Sequence, residues 1–326
     1  MLLLIPALGA QAGENPTYVA ALRTGLDLMR ADQWEAAIDT AGGPGTIRRD
    51  IILWHYLRAS KGRFAQAQAF LARRADWPGL KLLRKRVEAS IPADTPPGEV
   101  LAFFADQPPQ TGTGVLLAAR ALVAEGRADE AEAMVVLAWF SMLMDADEEQ
   151  ALLAEYAGAL GSYHWQRLDM LLWRGETGAA RRMLPLVDRA HQKLAEARIW
   201  LRGQKAGVDG AIEAVPGALR DDPGLAYERF LWRASKGRNQ SAVDLMLERS
   251  QSAEALGEPG RWGSWRRTLA RWSMRAGKAR QAYRLAANHY IEAGSNRNDL
   301  EWLAGYIALR KLNEPEAALR HFKAFR

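Results

Sequence analysis

Two kinds of side chain in this sequence could do chemistry on a substrate: carboxylates and a cluster of aromatic and cationic residues. Two carboxylates flanking a glycosidic oxygen can cleave the bond, and the densest acidic group is Asp145, Asp147, Glu148 and Glu149. Its position at a predicted helix start gives it another use, because carboxylates there complement the helix dipole and close a capping box. The five histidines, His55, His164, His191, His289 and His321, have no partner at the i,i+3 or i,i+4 spacing that makes a zinc site on a helix. Gly112-Thr113-Gly114 lacks the Lys-Ser/Thr of a phosphate loop and reads as a loop–helix junction. No serine has a nucleophile-elbow context. With no cysteine in the chain, disulfides, thiolate metal sites and thiol nucleophiles are excluded. No catalytic residue, metal site or cofactor site is therefore expected. The strongest binding candidate is Arg261, Trp262, Trp265 and Arg266, where indole faces could stack on sugar rings and guanidiniums could hold carboxylates, against the competing reading that Trp262, Trp265 and Arg266 pack between helices.

The elements carrying these residues are helices. Tyr18, Leu22, Leu26 and Met29 lie on one helical face, and no stretch alternates with a period of two. A helix–break–helix pattern recurs through the chain. Copies run over Leu57–Ala67, Leu122–Ala131, Phe230–Ala242 and Trp272–Ala282, with further breaks at Asp32 and Asn313. In each full copy a glycine (Gly62, Gly126, Gly237, Gly277) is predicted to end the first helix in a left-handed conformation. An alanine five residues later is predicted to let the second helix approach closely. The expected fold is all-α, a superhelical solenoid of stacked antiparallel hairpins of tetratricopeptide-like length, roughly 30–40 residues. Thr95, before Pro96 and Pro97, is expected to cap a helix. Most of the tryptophans are expected between helices, and a minority along a groove.

The net charge of +6 favours anionic partners, but the charge is spread along the chain, and Lys81, Arg84, Lys85 and Arg86 read as one solvated helix face. No apolar run reaches the ~20 residues of a membrane span. Residues 1–12, MLLLIPALGAQA, read as the remnant of a signal peptide, cleaved after Ala12 to leave residues 13–326 as the mature helical domain. Export to the periplasm is the expectation.

Several segments in order resemble the N-terminal helical superhelix of soluble lytic murein transglycosylases. They are Asp50-Ile-Ile-Leu-Trp-His-Tyr-Leu-Arg58, Arg73-Arg-Ala-Asp-Trp-Pro-Gly-Leu80, Phe103-Phe-Ala-Asp-Gln-Pro-Pro-Gln-Thr111, Glu301-Trp-Leu-Ala-Gly305 and Leu309–Phe322. Members of that family cleave the bond between N-acetylmuramic acid and N-acetylglucosamine in peptidoglycan and form a 1,6-anhydro sugar. A lysozyme-like domain does this chemistry with a glutamate in a Glu-Ser-x-Phe motif, followed by Gly-Leu-Met-Gln. Neither stretch occurs here, so the resemblance carries over no catalytic residue and implies a chain without that domain, a fragment of a longer reading frame. It implies peptidoglycan strands as partner, cell-wall proteins as a second class, and no nucleic acid. The competing expectation is a free-standing helical-repeat scaffold that binds proteins.

Overall fold

The computed structural model describes residues 16–325, so the segment assigned to a signal peptide and its cleavage after Ala12 lie outside the described residues. All regular secondary structure among the described residues is helical. The chain divides into two compact units, Met1–Ala159 and Leu160–Arg326. The first holds α1 (Pro16–Arg30), α2 (Trp34–Thr40), α3 (Ile47–Arg58), α4 (Phe64–Arg73), α5 (Leu80–Val87), α6 (Pro97–Phe104), α7 (Gly112–Ala124), α8 (Ala128–Ser141) and α9 (Ala146–Leu160). The second holds α10 (His164–Arg174), α11 (Thr177–Met183), α12 (Arg189–Arg202), α13 (Val208–Glu213), α14 (Pro223–Ser235), α15 (Asn239–Arg249), α16 (Ala253–Leu256), α17 (Pro259–Arg275), α18 (Ala279–Ala287), α19 (Ser295–Ile307) and α20 (Pro315–Ala324).

The helix breaks follow one local rule. Asp32, Ser60, Gly126, Gly175, Gln204, Gly237 and Gly277 all have positive φ. In each case the following N–H reaches the carbonyl five positions back, at 2.9–3.2 Å. This is the Schellman ending, which satisfies carbonyls that a helix terminus would leave bare. The last break differs. α19 widens into a π turn over Ala308–Leu312 and stops at Asn313, whose φ is 57°, and Glu314 N–H bonds to the Ala308 carbonyl at 2.9 Å.

Five residues after the breaks at Asp32, Gly126, Gly175, Gly237, Gly277 and Asn313 stands an alanine: Ala37, Ala131, Ala180, Ala242, Ala282 and Ala318. All are buried. The flanking helices pack in pairs as α1 on α2, α7 on α8, α10 on α11, α14 on α15, α17 on α18 and α19 on α20. A methyl group at the crossing lets two backbones approach as a larger side chain would not. The Gly175–Ala180 copy adds a hairpin, α10 on α11, to those predicted from the sequence.

The glycine expectation holds at Gly126, Gly237 and Gly277 and fails at Gly62. The hexapeptide Arg-Ala-Ser-Lys-Gly-Arg occurs at 58–63 and again at 233–238, yet the two copies fold differently. In the second copy α14 runs on to Ser235 and Gly237 turns left-handed, with φ 70°. In the first, α3 stops at Arg58 and Ser60 takes the left-handed conformation, with φ 60°. A Cβ on Gly62 would then fall 2.2 Å from Leu57 Cδ2, so this glycine answers a close approach and not a turn. Opposite responses are expected. Gly237→Ala should cost about 1 kcal/mol, whereas Ser60→Gly should raise stability by about 0.5 kcal/mol, because a left-handed backbone strains any residue with a Cβ. Urea denaturation midpoints of the two variants check this.

Each unit has its own apolar interior. In the first, Ile52, Leu57, Phe64, Phe70, Leu83 and Phe103 form its centre. In the second, Phe230, Met246, Trp262, Leu269, Leu285 and Leu300 do so. Each such side chain contributes roughly 1.5–3 kcal/mol on burial. No helix among the described residues is long and apolar enough to cross a membrane.

Candidate functional site

The four residues singled out in the sequence do not share one open surface. α17 presents Trp262, Arg266, Leu269, Ala270 and Ser273 to the interior of its unit. Trp262 and Arg266 are both 0% exposed. Trp262 donates its indole N–H to the Leu256 carbonyl at 3.0 Å and packs on Phe230 and Tyr227. Trp265 is half-buried against Phe230, and exposed Arg261 pairs with Glu258 at 2.9 Å. Sugar stacking on Trp262 or ion pairing at Arg266 would require the core to open.

Arg266 is the unusual member, a buried guanidinium with no carboxylate partner among the described residues. It donates to the Leu285 carbonyl at 3.1 Å and to Ser250 Oγ at 2.5 Å. Leu285 is in the last turn of α18, and Ser250 is the C-cap of α15. The cation thus sits at the negative ends of two helix dipoles, which stand in for a counter-ion. Burial pulls its pKa down to about 10, with Tyr290 opposing, so it keeps its charge at neutral pH.

An open cation–aromatic site lies elsewhere in the same unit. A cleft of about 140 Å³ is bounded by Leu201 of α12, by Val208, Asp209 and Ile212 of α13, and by Arg229, Trp232, Arg233 and Arg238. Helix geometry builds it: Arg229, Trp232 and Arg233 occupy positions i, i+3 and i+4 of α14 and so share a face. Arg238, just past the left-handed Gly237, folds back with its guanidinium 4.8 Å from the centre of the Trp232 ring. Arg233 is anchored by a hydrogen bond to the Ser241 carbonyl at 3.1 Å. Arg229, Arg233 and Arg238 form no ion pair among the described residues. Burial and the nearby charges of Arg229 and Arg238 hold the Arg233 pKa below the ordinary guanidinium range, with Glu248 and Asp244 opposing. Three guanidiniums and one carboxylate, Asp209, thus line a cleft with an indole face, an arrangement chemically suited to an anionic group attached to a ring. The sequence carried this signal in the spacing of Arg229, Trp232 and Arg233, inside a segment read only as a hairpin.

Two of the four clustered carboxylates are occupied structurally. Asp145 and Glu148 form the expected capping box: Glu148 N–H donates to Asp145 Oδ1 at 2.9 Å, and Asp145 N–H donates to Glu148 Oε2 at 3.1 Å. Glu148 also accepts from the Thr113 N–H at 3.0 Å, across to the start of α7. Thr111, and not Thr95, is the capping threonine: its Oγ1 accepts from Gly114 N–H at 2.9 Å, whereas Pro96 stands at the cap of α6. Burial raises the pKa of Glu88 and of Glu228, a mark shared by many catalytic acids. Each is only 1% exposed, however, Glu88 held by Gln110 N–H and Thr111, Glu228 by Arg202. Neither can meet a substrate. In the basic run of α5, Leu83 is buried and Arg84 donates to the Phe103 carbonyl at 2.9 Å, so one cation of that face braces α6.

The histidines form no metal cluster among the described residues. His289 and His321 instead bracket Glu301, His289 Nε2 at 3.1 Å from one carboxylate oxygen and His321 Nδ1 at 2.7 Å from the other. His289 Nδ1 accepts from Ile291 N–H at 2.9 Å, so the neutral ring carries its proton on Nε2 and donates to Glu301. His321 Nε2 lies 3.0 Å from the Tyr283 hydroxyl. Sequence spacing could not show this chain, which ties the loop after α18 to α19 and α20. Burial lowers the His289 pKa; Glu301 opposes the shift, and Arg266 and Arg297 add to it.

A pH dependence follows. The unfolded imidazole titrates near 6.5 and the folded one lower, so His289 contributes full stability above that range and loses it as pH falls. Between about pH 7.5 and about pH 5 the wild type should lose stability more steeply than His289→Gln. Urea midpoints at the two pH values check the difference, and parallel slopes would contradict it.

Compared with known proteins, the chain matches no protein-family model, no curated protein and no solved structure.

Proposed function

We propose that this chain is the helical, substrate-holding portion of an exported peptidoglycan lytic transglycosylase, a tetratricopeptide-like superhelix whose Arg229–Trp232–Arg233–Arg238 cleft takes the stem-peptide carboxylates of a glycan strand. The observation that carries this reading is the cleft, in which three guanidiniums, none in an ion pair among the described residues, share a lining with the Trp232 indole and a single carboxylate, Asp209. Peptidoglycan offers the complement: ring sugars bearing short peptides that end in carboxylates. Support for the array comes from the last three hairpins, whose left-handed breaks at Gly237, Gly277 and Asn313 and buried alanines Ala242, Ala282 and Ala318 recur at 40 and 36 residues, close to the repeat length of tetratricopeptide proteins. The ordered segments resembling the family's superhelix supply the substrate. In this reading a lysozyme-like domain outside these residues cleaves between N-acetylmuramic acid and N-acetylglucosamine, and this chain supplies no catalytic group.

A second reading is a stand-alone scaffold for proteins, including cell-wall proteins. It draws on a cleft of about 540 Å³ in the first unit, lined by Leu101, Phe104, Pro108, Pro109, Leu122 and Met134, which suits an apolar peptide segment. Retention on purified sacculi separates the two. The substrate-holding reading expects retention at low salt that falls, without vanishing, above physiological ionic strength, where the Debye length drops below about 8 Å. Absence of retention at low salt would remove that reading and leave the scaffold.

A further inference from the structure

The Trp232–Arg238 pair has a counterpart in the next long hairpin. Trp232 stands five residues before the left-handed Gly237, and Arg238 directly follows it. Trp272 stands five residues before the left-handed Gly277, and Lys278 directly follows it, with its Nζ 5.8 Å from the Trp272 ring centre. The Schellman turn produces this geometry. It reverses the chain so that the residue after the turn folds back over the last turn of the preceding helix, where position −5 lies.

The two stations are joined side to side. Lys278 Nζ donates to Gln240 Oε1 at 2.6 Å, and Gln240 is two residues beyond Arg238. Gln240 also meets Gln281 at 3.4 Å. Arg280 reaches Glu314, at the turn between α19 and α20, at 3.1 Å. The turns of three hairpins thus make one continuous edge. Along it stand the exposed cations Lys236, Arg238, Arg275, Lys278, Arg310 and Lys311, none in an ion pair among the described residues. Of the acids reached at this edge, Glu314 is taken by Arg280 and Asp244 accepts from Gln240 Nε2 at 2.7 Å.

We infer that this turn edge binds a linear anionic glycan, with sugar rings against Trp232 and Trp272 and acid groups against the cations of successive turns. The inference rests on the substrate-holding reading and extends it from one cleft to a strand that spans hairpins. An extended polymer suits the edge better than a small anion because the aromatic stations repeat with the hairpins. A ring-and-carboxylate polymer also uses both the indoles and the cations.

The test titrates the protein by tryptophan fluorescence with oligomers of alternating glucuronate and N-acetylglucosamine, one short enough for a single station and one several times longer. The longer oligomer should bind at least about tenfold more tightly, because a second station adds to the first without a new association cost. Lys278→Gln with Arg275→Gln, both at exposed positions, should remove that gain and leave the short oligomer unaffected. Trp232→Ala should weaken both oligomers. Equal affinity for the two lengths, or an unchanged gain in the double variant, would overturn the inference. Single-stranded DNA of matched length bound more tightly through the same residues would also overturn it, by replacing the glycan with a nucleic acid. If the double variant is retained on sacculi like the wild type, the edge fails while the substrate-holding reading stands. If the wild type is not retained, both fail.

Discussion

Arg266→Glu is expected to leave the second unit unfolded at physiological temperature. The native guanidinium is 0% exposed and is held by the α18 carbonyl of Leu285 and by Ser250 at the end of α15. A carboxylate there would face the negative ends of two helices, lose both donated hydrogen bonds, and be desolvated with no cation beside it. Each of these opposes folding, and their sum should exceed about 4 kcal/mol, the range reserved for uncompensated buried charge. Arg266→Lys keeps the sign of the charge and one donor, and should cost roughly half as much. Arg266→Met removes the desolvation but strands the Leu285 carbonyl, at about 1–3 kcal/mol. The ranking Lys and Met above Glu in thermal unfolding by circular dichroism checks the account. An Arg266→Glu protein that melts within a few degrees of wild type would mean that this side chain faces solvent.

Asp50→Ala is the second large effect. Asp50 is 0% exposed on α3 and accepts from Arg73 Nη2 and Arg74 Nε, each at 2.8 Å. Arg74 continues to the Gly45 carbonyl at 3.1 Å, and its guanidinium lies 5.6 Å from the Trp77 ring centre. One carboxylate therefore fixes the end of α4 and the Asp-Trp-Pro-Gly turn leading into α5. Its removal should cost about 2–4 kcal/mol, less than for a fully enclosed pair because both arginines reach water. Asp50→Asn keeps one acceptor and should cost less. Denaturant unfolding measures both; a loss below about 0.5 kcal/mol for Asp50→Ala would reduce the pair to a surface contact.

The helices and their pairing were legible because they depend on local chemistry. Gly237 with Ala242, and Gly277 with Ala282, announce a break and a close crossing within a few residues. The same pair of signals stands at Gly175 and Ala180, and the left-handed Gly175 ends α10 in the same way. Gln204 was less legible, since glutamine in a left-handed turn has no compositional mark. Gly62 misled because the identical hexapeptide permits two endings, and the contact between Gly62 and Leu57 belongs to one of them. Asp50 and Arg74 lie too far apart in sequence for any pattern to join them. For Arg261, Trp262, Trp265 and Arg266 residue type leaves stacking and packing both open, whereas the period of α17 puts Trp262 and Arg266 on the buried face of Leu269 and Ser273. The same test of period, applied to Arg229, Trp232 and Arg233, finds the open cleft.

The most direct measurement is calorimetric titration of a soluble muropeptide with a free stem carboxylate into wild type and into Arg229→Gln/Arg233→Gln. Charge-assisted contacts contribute roughly 1.5–3 kcal/mol each, so the double substitution should weaken binding at least about tenfold, and amidation of the stem carboxylates should weaken the wild type comparably. Equal affinity of the two proteins, or indifference to amidation, would contradict a cleft that holds peptidoglycan by its carboxylates.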